Sequence, residues 1–159
     1  LNQVGPRRAL HLGGGPCLLA TDLGRRFGIY SEVIDPEPLI KRIARDFFCL
    51  NDKVYIIVDD AKSYLTQFNG MSTYGYIFLD AYIGDKEDQW LYSEEGLTVI
   101  GELMEPQTIL GINWVEKIAE KGKKVEFLSK LFDVVDAKYC EKLGVEKLNT
   151  VYIVKKKEK

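Results

Sequence analysis

The sequence has one histidine, His11, in 159 residues. That scarcity removes Ser-His-Asp triads and paired-histidine metal centres from consideration, so no metal is expected. Cysteine is also sparse. Cys17, Cys49 and Cys140 are widely spaced and form no C-x-x-C pair, which argues against zinc or a disulfide framework and for reduced thiols in the cytoplasm. No run of about 20 apolar residues exists, so no membrane span is expected. The first residues show no charged stretch followed by an apolar one, so no secretory signal is read there. The first residue is Leu1 rather than methionine, which leaves room for a leading segment. Basic charge is not in excess: 22 Lys and Arg stand against 24 Asp and Glu, for a net charge of −2. Without a basic field, nucleic acid is not an expected partner. The final "KKKEK" reads as a solvated end.

What is present suits one α/β domain over residues 1–159. Apolar residues make up 46% and charged residues 29%, an ordinary globular balance. Short apolar runs alternate with amphipathic ones. Arg8–Leu12 reads as a buried strand, followed by a helix over Pro16–Phe27 that Gly28 ends. Ile29–Asp35 is a second strand and "PEPLIKRIARDFF" a second helix; Lys53–Asp60 is a third strand and Ala61–Phe68 a short helix. Tyr74–Tyr82 is a fourth strand, then a helix over Ser93–Met104 with Ser93 as its cap. Gln107–Val115 is a fifth strand, Glu116–Leu131 a long helix, and "VVDAKYC" and "TVYIVKK" are two final strands. Alternating strand and helix implies a doubly wound, mostly parallel sheet of seven strands. The last two strands are too close in sequence for a parallel crossover, so the last is expected to run antiparallel.

In such a sheet, ligands bind beyond the carboxyl ends of the strands. The first strand ends in Gly13, Gly14 and Gly15, the second in Asp35, the third in Asp59 and Asp60, and the fourth in Asp80. Glycines let a ligand approach the backbone closely. Carboxylates accept from ribose hydroxyls and from the amine of adenine, and they suit a cationic ligand. A phosphate fits poorly here. "GGGPCLL" lacks the Lys-Ser/Thr of a phosphate loop, and Leu18 stands where a dinucleotide fold needs its third glycine. Pro16 suits the first turn of a helix, where its missing N–H costs nothing. Taken singly, each carboxylate has a plain reading as a helix cap or turn; together, at three successive strand ends, they indicate a ligand site.

The segments "ALHLGGG", "VIDPEPLIKRIARDFF", "VYIIVDDAKSYL" and "YGYIFLDAYIGD" resemble, in order and spacing, the core of spermidine synthases and spermidine-synthase-like proteins. The resemblance covers Ala9 to Asp85. It implies the fold of class I S-adenosylmethionine (SAM) dependent methyltransferases and a cofactor that is SAM or decarboxylated SAM. It also implies nucleoside-binding roles for Gly13, Gly14, Gly15, Asp35, Asp60, Ala61 and Asp80, and catalytic roles for Asp80 and Asp85. The family's N-terminal β-rich domain is expected to be absent, since eight residues precede Ala9. Three positions depart from the family pattern. Pro16 replaces the acid after the glycines, Val33 replaces a ribose-binding Glu with Glu32 one position away, and Ile83 stands where the proton acceptor belongs.

Aminopropyl transfer needs a carboxylate to take a proton from the attacking ammonium. Methyl transfer from a sulfonium needs mainly in-line positioning. The departures therefore favour a methyltransferase acting on a small molecule. A polyamine aminopropyltransferase and a non-catalytic nucleoside-binding module stand as alternatives, and a homo-oligomer is compatible with either. Tyr82 is expected beside Asp80 and Asp85 on the acceptor side. Trp90 and Tyr92 read as core packing ahead of a substrate lid, His11 as a core residue, and Cys17 as a structural thiol, although a helix start beside it could lower its pKa.

Overall fold

The computed structural model describes residues 8–68, 74–84, 86–117, 121–139 and 147–157. Nine strands and five helices follow one another among them: β1 (Arg8–Leu12), α1 (Leu18–Phe27), β2 (Tyr30–Asp35), α2 (Ile40–Phe48), β3 (Val54–Val58), α3 (Ala61–Gln67), β4 (Tyr74–Leu79), β5 (Tyr82–Ile83), β6 (Lys86–Glu87), α4 (Glu94–Glu102), β7 (Met104–Lys117), α5 (Lys121–Leu131), β8 (Phe132–Tyr139) and β9 (Lys147–Lys156).

Seven strands form one sheet in the order β3-β2-β1-β4-β7-β9-β8. All are parallel except β9, which runs antiparallel to both neighbours. The expected fold class, a doubly wound sheet with a reversed last strand, is the observed one. The order reverses at β1, which lies between β2 and β4, and the crevice above that point is where such a sheet receives a ligand.

The period-two alternation of side chains divides the core into two layers. Leu10, Leu12, Ile34, Ile77, Leu79, Leu110 and Ile112 pack against α3, α4 and α5 through Leu65, Leu97, Ile100 and Leu128. On the opposite face Val33 and Ile56 meet Cys17, which precedes α1, Ala20 of α1, and Ile40 and Ala44 of α2. His11 lies on this second face, 4% exposed, stacked on Phe78 and bonded through Nε2 to Ser31 Oγ at 3.2 Å. It is the core residue the sequence suggests.

Local chemistry sets the element ends. Gly28, at φ +69°, terminates α1 and returns its N–H to the Gly24 carbonyl. The second helix starts later than expected, at Ile40. Pro38 disfavours helical geometry at Glu37, so the helix forms only after the second proline. The first helix also starts late, at Leu18, because Cys17 ahead of it sits at φ 58°. Pro16 is therefore in the turn closed by Cys17 N–H to the Gly14 carbonyl, not in the helix.

Two other expectations are corrected. The fourth strand stops at Leu79, because the backbone turns away after Asp80 donates its N–H to Leu12. Tyr82 and Ile83 instead pair with Glu87 and Lys86 in a separate hairpin that turns at Gly84, φ +67°. Glu116 and Lys117 extend β7 rather than opening a helix, because β9 pairs with them through Leu148 and Lys147.

Candidate functional site

The carboxyl ends of β1 to β4 surround a cavity of about 820 Å³. Gly13, Gly14, Gly15, Asp35, Asp60, Ala61 and Asp80 all line it. Every residue expected to hold a nucleoside is thus at one crevice. Asp85 lies outside the described residues.

The loop after β1 is built for close approach. Gly13 takes φ +82° and sends its N–H to the Ile34 carbonyl at 2.9 Å. A Cβ at Gly13 would collide with the Asp80 carbonyl, and one at Gly14 with the Val33 side chain. Gly15, at φ +45°, has open space around it. The glycines thus let the ends of β1, β2 and β4 meet in one place.

Asp35 organises this loop. Its Oδ2 accepts from the amides of Gly14 at 3.0 Å and Gly15 at 3.2 Å, and its Oδ1 accepts from the Glu37 amide at 3.0 Å. A carboxylate offers roughly four lone-pair directions, so little acceptor capacity remains for a ligand. Glu37, which also lines the cavity, uses Oε1 to hold the Leu39 amide at 3.0 Å.

Asp60 caps α3, accepting the Ser63 amide on Oδ1 at 2.9 Å. The plain capping reading holds for that oxygen. The amide of Ala61 opens the helix beyond reach of any intrahelical acceptor. The Asp60 carboxylate and the Ala61 N–H place an acceptor beside a donor at the cavity wall. Asp59 does not line the cavity; its Oδ1 accepts the Asp60 amide at 2.8 Å.

Asp80 accepts from Asn113 Nδ2 at 2.6 Å. The hydroxyls of Tyr82 and Tyr92 donate to the Asn113 carbonyl at 3.2 and 2.7 Å, and the Tyr82 oxygen accepts from the Val115 amide at 2.8 Å. Burial raises the pKa of both tyrosines. Tyr92, 5% exposed, is core, as expected. Trp90 is half-buried against the same cluster. Ile83, at the position of the family's proton acceptor, is 75% exposed and carries no acid–base group.

Three further residues belong to the picture. Asp88 lines the cavity and turns the chain after β6, accepting from the amides of Trp90 and Leu91 at 2.9 and 2.8 Å. No motif marks it in the sequence. Asn113 lies inside β7, four residues before its end, but follows Ile112, the partner of the last residue of β4, and so stands level with Asp80 at the rim. Glu32 does not replace the missing ribose-binding acid. It points to the face opposite Val33 and is held by Arg8, Tyr74 and Tyr64, with Tyr74 Oη donating at 2.6 Å.

Cys17 is corrected. Burial, reinforced by the Asp35 charge, pushes its thiol up to about 11, so the helix start does not activate it. Among the described residues no three acidic, histidine or cysteine side chains converge as metal ligands would.

Comparison with known proteins adds the fold's relatives. A probable spermidine synthase from Corynebacterium glutamicum superposes with TM-score 0.75 at 19% identity, over 94% of this chain and 55% of that one. The spermidine synthase of Thermotoga maritima gives 0.73 at 12%, over 95% and 54%. Human methyltransferase-like protein 13, solved with S-adenosylhomocysteine (SAH), gives 0.74 at 15%, over 96% and 72%. The fold is that of the SAM-dependent methyltransferases and spermidine synthases. The chain spans about half the length of the two synthases. No family model matches the sequence, and no curated protein does. No helix among the described residues is long and apolar enough to cross a membrane.

Proposed function

We infer that the chain binds SAM in the cavity above β1–β4 and transfers its methyl group to a small molecule. The observation that carries this reading is the composition of that wall: a glycine loop, an acceptor–donor pair at Asp60 and Ala61, and Asp35, Glu37, Asp80 and Asp88, with no Lys or Arg among the described residues. Adenine presents an amine donor beside a ring-nitrogen acceptor, complementary to the Asp60 carboxylate and the Ala61 N–H. The free oxygen of Glu37 and the remaining capacity of Asp35 suit ribose hydroxyls. The surrounding carboxylates favour a sulfonium and oppose phosphate. When bound, SAM supplies an alkyl group already activated for displacement.

The chain's own part is positioning. Asp35 fixes the glycine loop, Asn113 orients Asp80, and Tyr82 and Ile83 wall the acceptor side. In-line orientation of two reactants supplies a large share of such a rate, and no general base is required when the nucleophile arrives neutral. That fits Pro16 and Ile83, which replace the two acids that aminopropyl transfer uses. The acidic cavity itself favours the second reading, aminopropyl transfer from decarboxylated SAM, with Asp80 or Asp85 as proton acceptor. A soluble cytoplasmic enzyme is proposed in either case.

Isothermal titration with SAM, SAH, decarboxylated SAM and methylthioadenosine tests the proposal. Tighter binding of SAM and SAH supports methyl transfer. A clear preference for decarboxylated SAM transfers support to the aminopropyl reading. If none binds at about millimolar concentration, weaker than metabolite-site affinities, the cavity is not a SAM site and a non-catalytic module remains.

A further inference from the structure

The two edges of the seven-stranded sheet, β3 and β8, are built differently. An open edge offers unpaired amides and carbonyls to any other strand, and charges or bulges blunt it. β8 has both. Its sequence, "FDVVDAKY", carries Asp133, Asp136 and Lys138, and its register with β9 shifts between Val134 and Asp136. β3, "VYIIV", has neither a charge nor a proline, and its register with β2 runs unbroken from Val54 to Val58. Tyr55 is 65% and Val58 49% exposed.

Alternation decides which backbone groups face that edge. The Lys53 carbonyl accepts from the Ser31 amide at 2.9 Å, and the Asp59 amide donates to the Asp35 carbonyl at 3.3 Å. Residues in step with Lys53 and Asp59 therefore turn their polar groups to β2, and Val54, Ile56 and Val58 turn theirs outward. The Val54 amide donates to the Asn51 carbonyl at 3.1 Å. The amides of Ile56 and Val58 and the carbonyls of Val54 and Ile56 face an added strand. Opposite charges flank β3. Lys53 precedes it, with Nζ 4.3 Å from the centre of the Tyr30 ring and 3.2 Å from the Tyr30 hydroxyl. Asp59 follows it. This is the one strand-end acid that does not line the donor cavity, and its Oδ1 accepts the Asp60 amide.

We propose that β3 pairs with β3 of a second copy of this chain, antiparallel about a two-fold axis at Ile56. That register is self-complementary, as a two-fold interface must be. Ile56 meets Ile56 of the partner subunit, and Val54 meets Val58 of the partner subunit. Tyr55 stands opposite Ile57 of the partner subunit, an aromatic–β-branched pair. Lys53 stands opposite Asp59 of the partner subunit, and the axis repeats that ion pair at the other end. Asp52 and Asp60 also fall opposite one another, but Asp52 lies in the turn before β3 and Asp60 is drawn into the cap of α3. An unrelated extended segment could cover β3 without this symmetry of charge about its middle residue; a second copy satisfies it twice. The pairing joins the sheets of both copies edge to edge and gives Asp59 a partner. It does not depend on what the donor cavity binds.

Sedimentation velocity on the full chain, from about 5 to 500 µM, tests the pairing, because so short a strand pair makes a small and weak interface. A monomer–dimer transition is expected within that range. Lys53→Asp and Asp59→Lys each place two like-charge pairs in the homodimer, and each is expected to weaken it at least about fivefold. Mixed in equal amounts, the two variants restore both ion pairs, so a heterodimer of near wild-type affinity is expected. That rescue also shows that both variants are folded. Hydrogen exchange followed by NMR should show the Ile56 and Val58 amides gaining protection as concentration rises. A chain that stays monomeric, reversals that leave dimerisation unchanged, or mixed variants that fail to associate overturn the proposal. Protection of Ile56 and Val58 that is already complete in the dilute monomer also overturns it, and assigns the edge to a segment of the same chain.

Discussion

At the scale of the residue, Asp35 does two jobs with one carboxylate. It secures the Gly14 and Gly15 amides and, in the SAM site proposed above, would face the ribose. Asp35→Ala is expected to weaken SAH binding by at least about tenfold, the size of effect seen when charged hydrogen bonds are lost. It should also lower the melting temperature in the absence of ligand, because the loop amides lose their acceptor. Calorimetry and thermal denaturation separate the two effects; an unaltered SAH affinity would remove Asp35 from the site. His11 makes a different prediction. Burial lowers its pKa from 6.5 to about 4, so the folded state holds it neutral while the unfolded chain protonates it first. Its stabilising contribution is complete above about pH 6.5 and is lost as pH falls through about 4. Denaturant titrations across that window should show the decline, and His11→Gln should flatten it. At this scale the sequence revealed which acids gather, because strand ends in a parallel sheet share one rim. It did not reveal that Asp35 would be occupied by the glycine amides, since that depends on how close the β1 and β2 ends come. Nor did it show that Glu32 turns away, although its neighbour Val33 is the buried one and alternation along a strand sends adjacent side chains to opposite faces.

At the scale of the element, caps and turns decide the boundaries. Ser93 accepts the Gly96 amide at 3.2 Å, and Glu94 and Glu95 follow in the first turn of α4. Ser93→Ala is expected to cost about 1 kcal/mol of stability, as for other lost caps, readable by urea titration. Gly13 is less forgiving. A Cβ there meets backbone, not a flexible side chain, and φ +82° is unfavourable for any L residue. Gly13→Ala should therefore reduce soluble yield or lower the melting temperature by several degrees, consistent with ~2 kcal/mol or more in a domain of this size. These elements were readable where capping residues and apolar spacing agree, as at α4 and Gly28. They were not where long-range pairing overrides local preference. Glu116 and Lys117 look helical locally, and β9 holds them as strand. The Tyr82–Glu87 hairpin is two residues per strand, too short for any periodic signal.

At the scale of the whole molecule, the two faces of the sheet are unequally packed. The side carrying α3, α4 and α5 holds most of the fully buried large side chains, while the layer under α1 and α2 is small and leaves Leu39, Phe27 and Phe47 exposed. Hydrogen exchange is expected to follow that division, since local opening requires less where fewer apolar contacts must break. Amides of α1 and α2 should exchange faster than those of α4, β4 and β7, and SAH should slow exchange in the loop between β1 and α1. Equal protection in the two helical layers would contradict this. The reversed strand has a consequence for how the chain is made. β9 is made after the other eight described strands, yet it lies inside the sheet, between β7 and β8. Until it leaves the ribosome, β7 keeps an unpaired apolar edge and β8 has no place to dock. The crevice between β1 and β4 needs neither β8 nor β9, so a nascent chain can assemble the half that surrounds the glycine loop first. The half bearing Trp114 and Lys124 must wait for pairings between residues far apart in sequence, the slow kind, and its exposed edge is the part of this protein most open to a chaperone or to misassociation during translation.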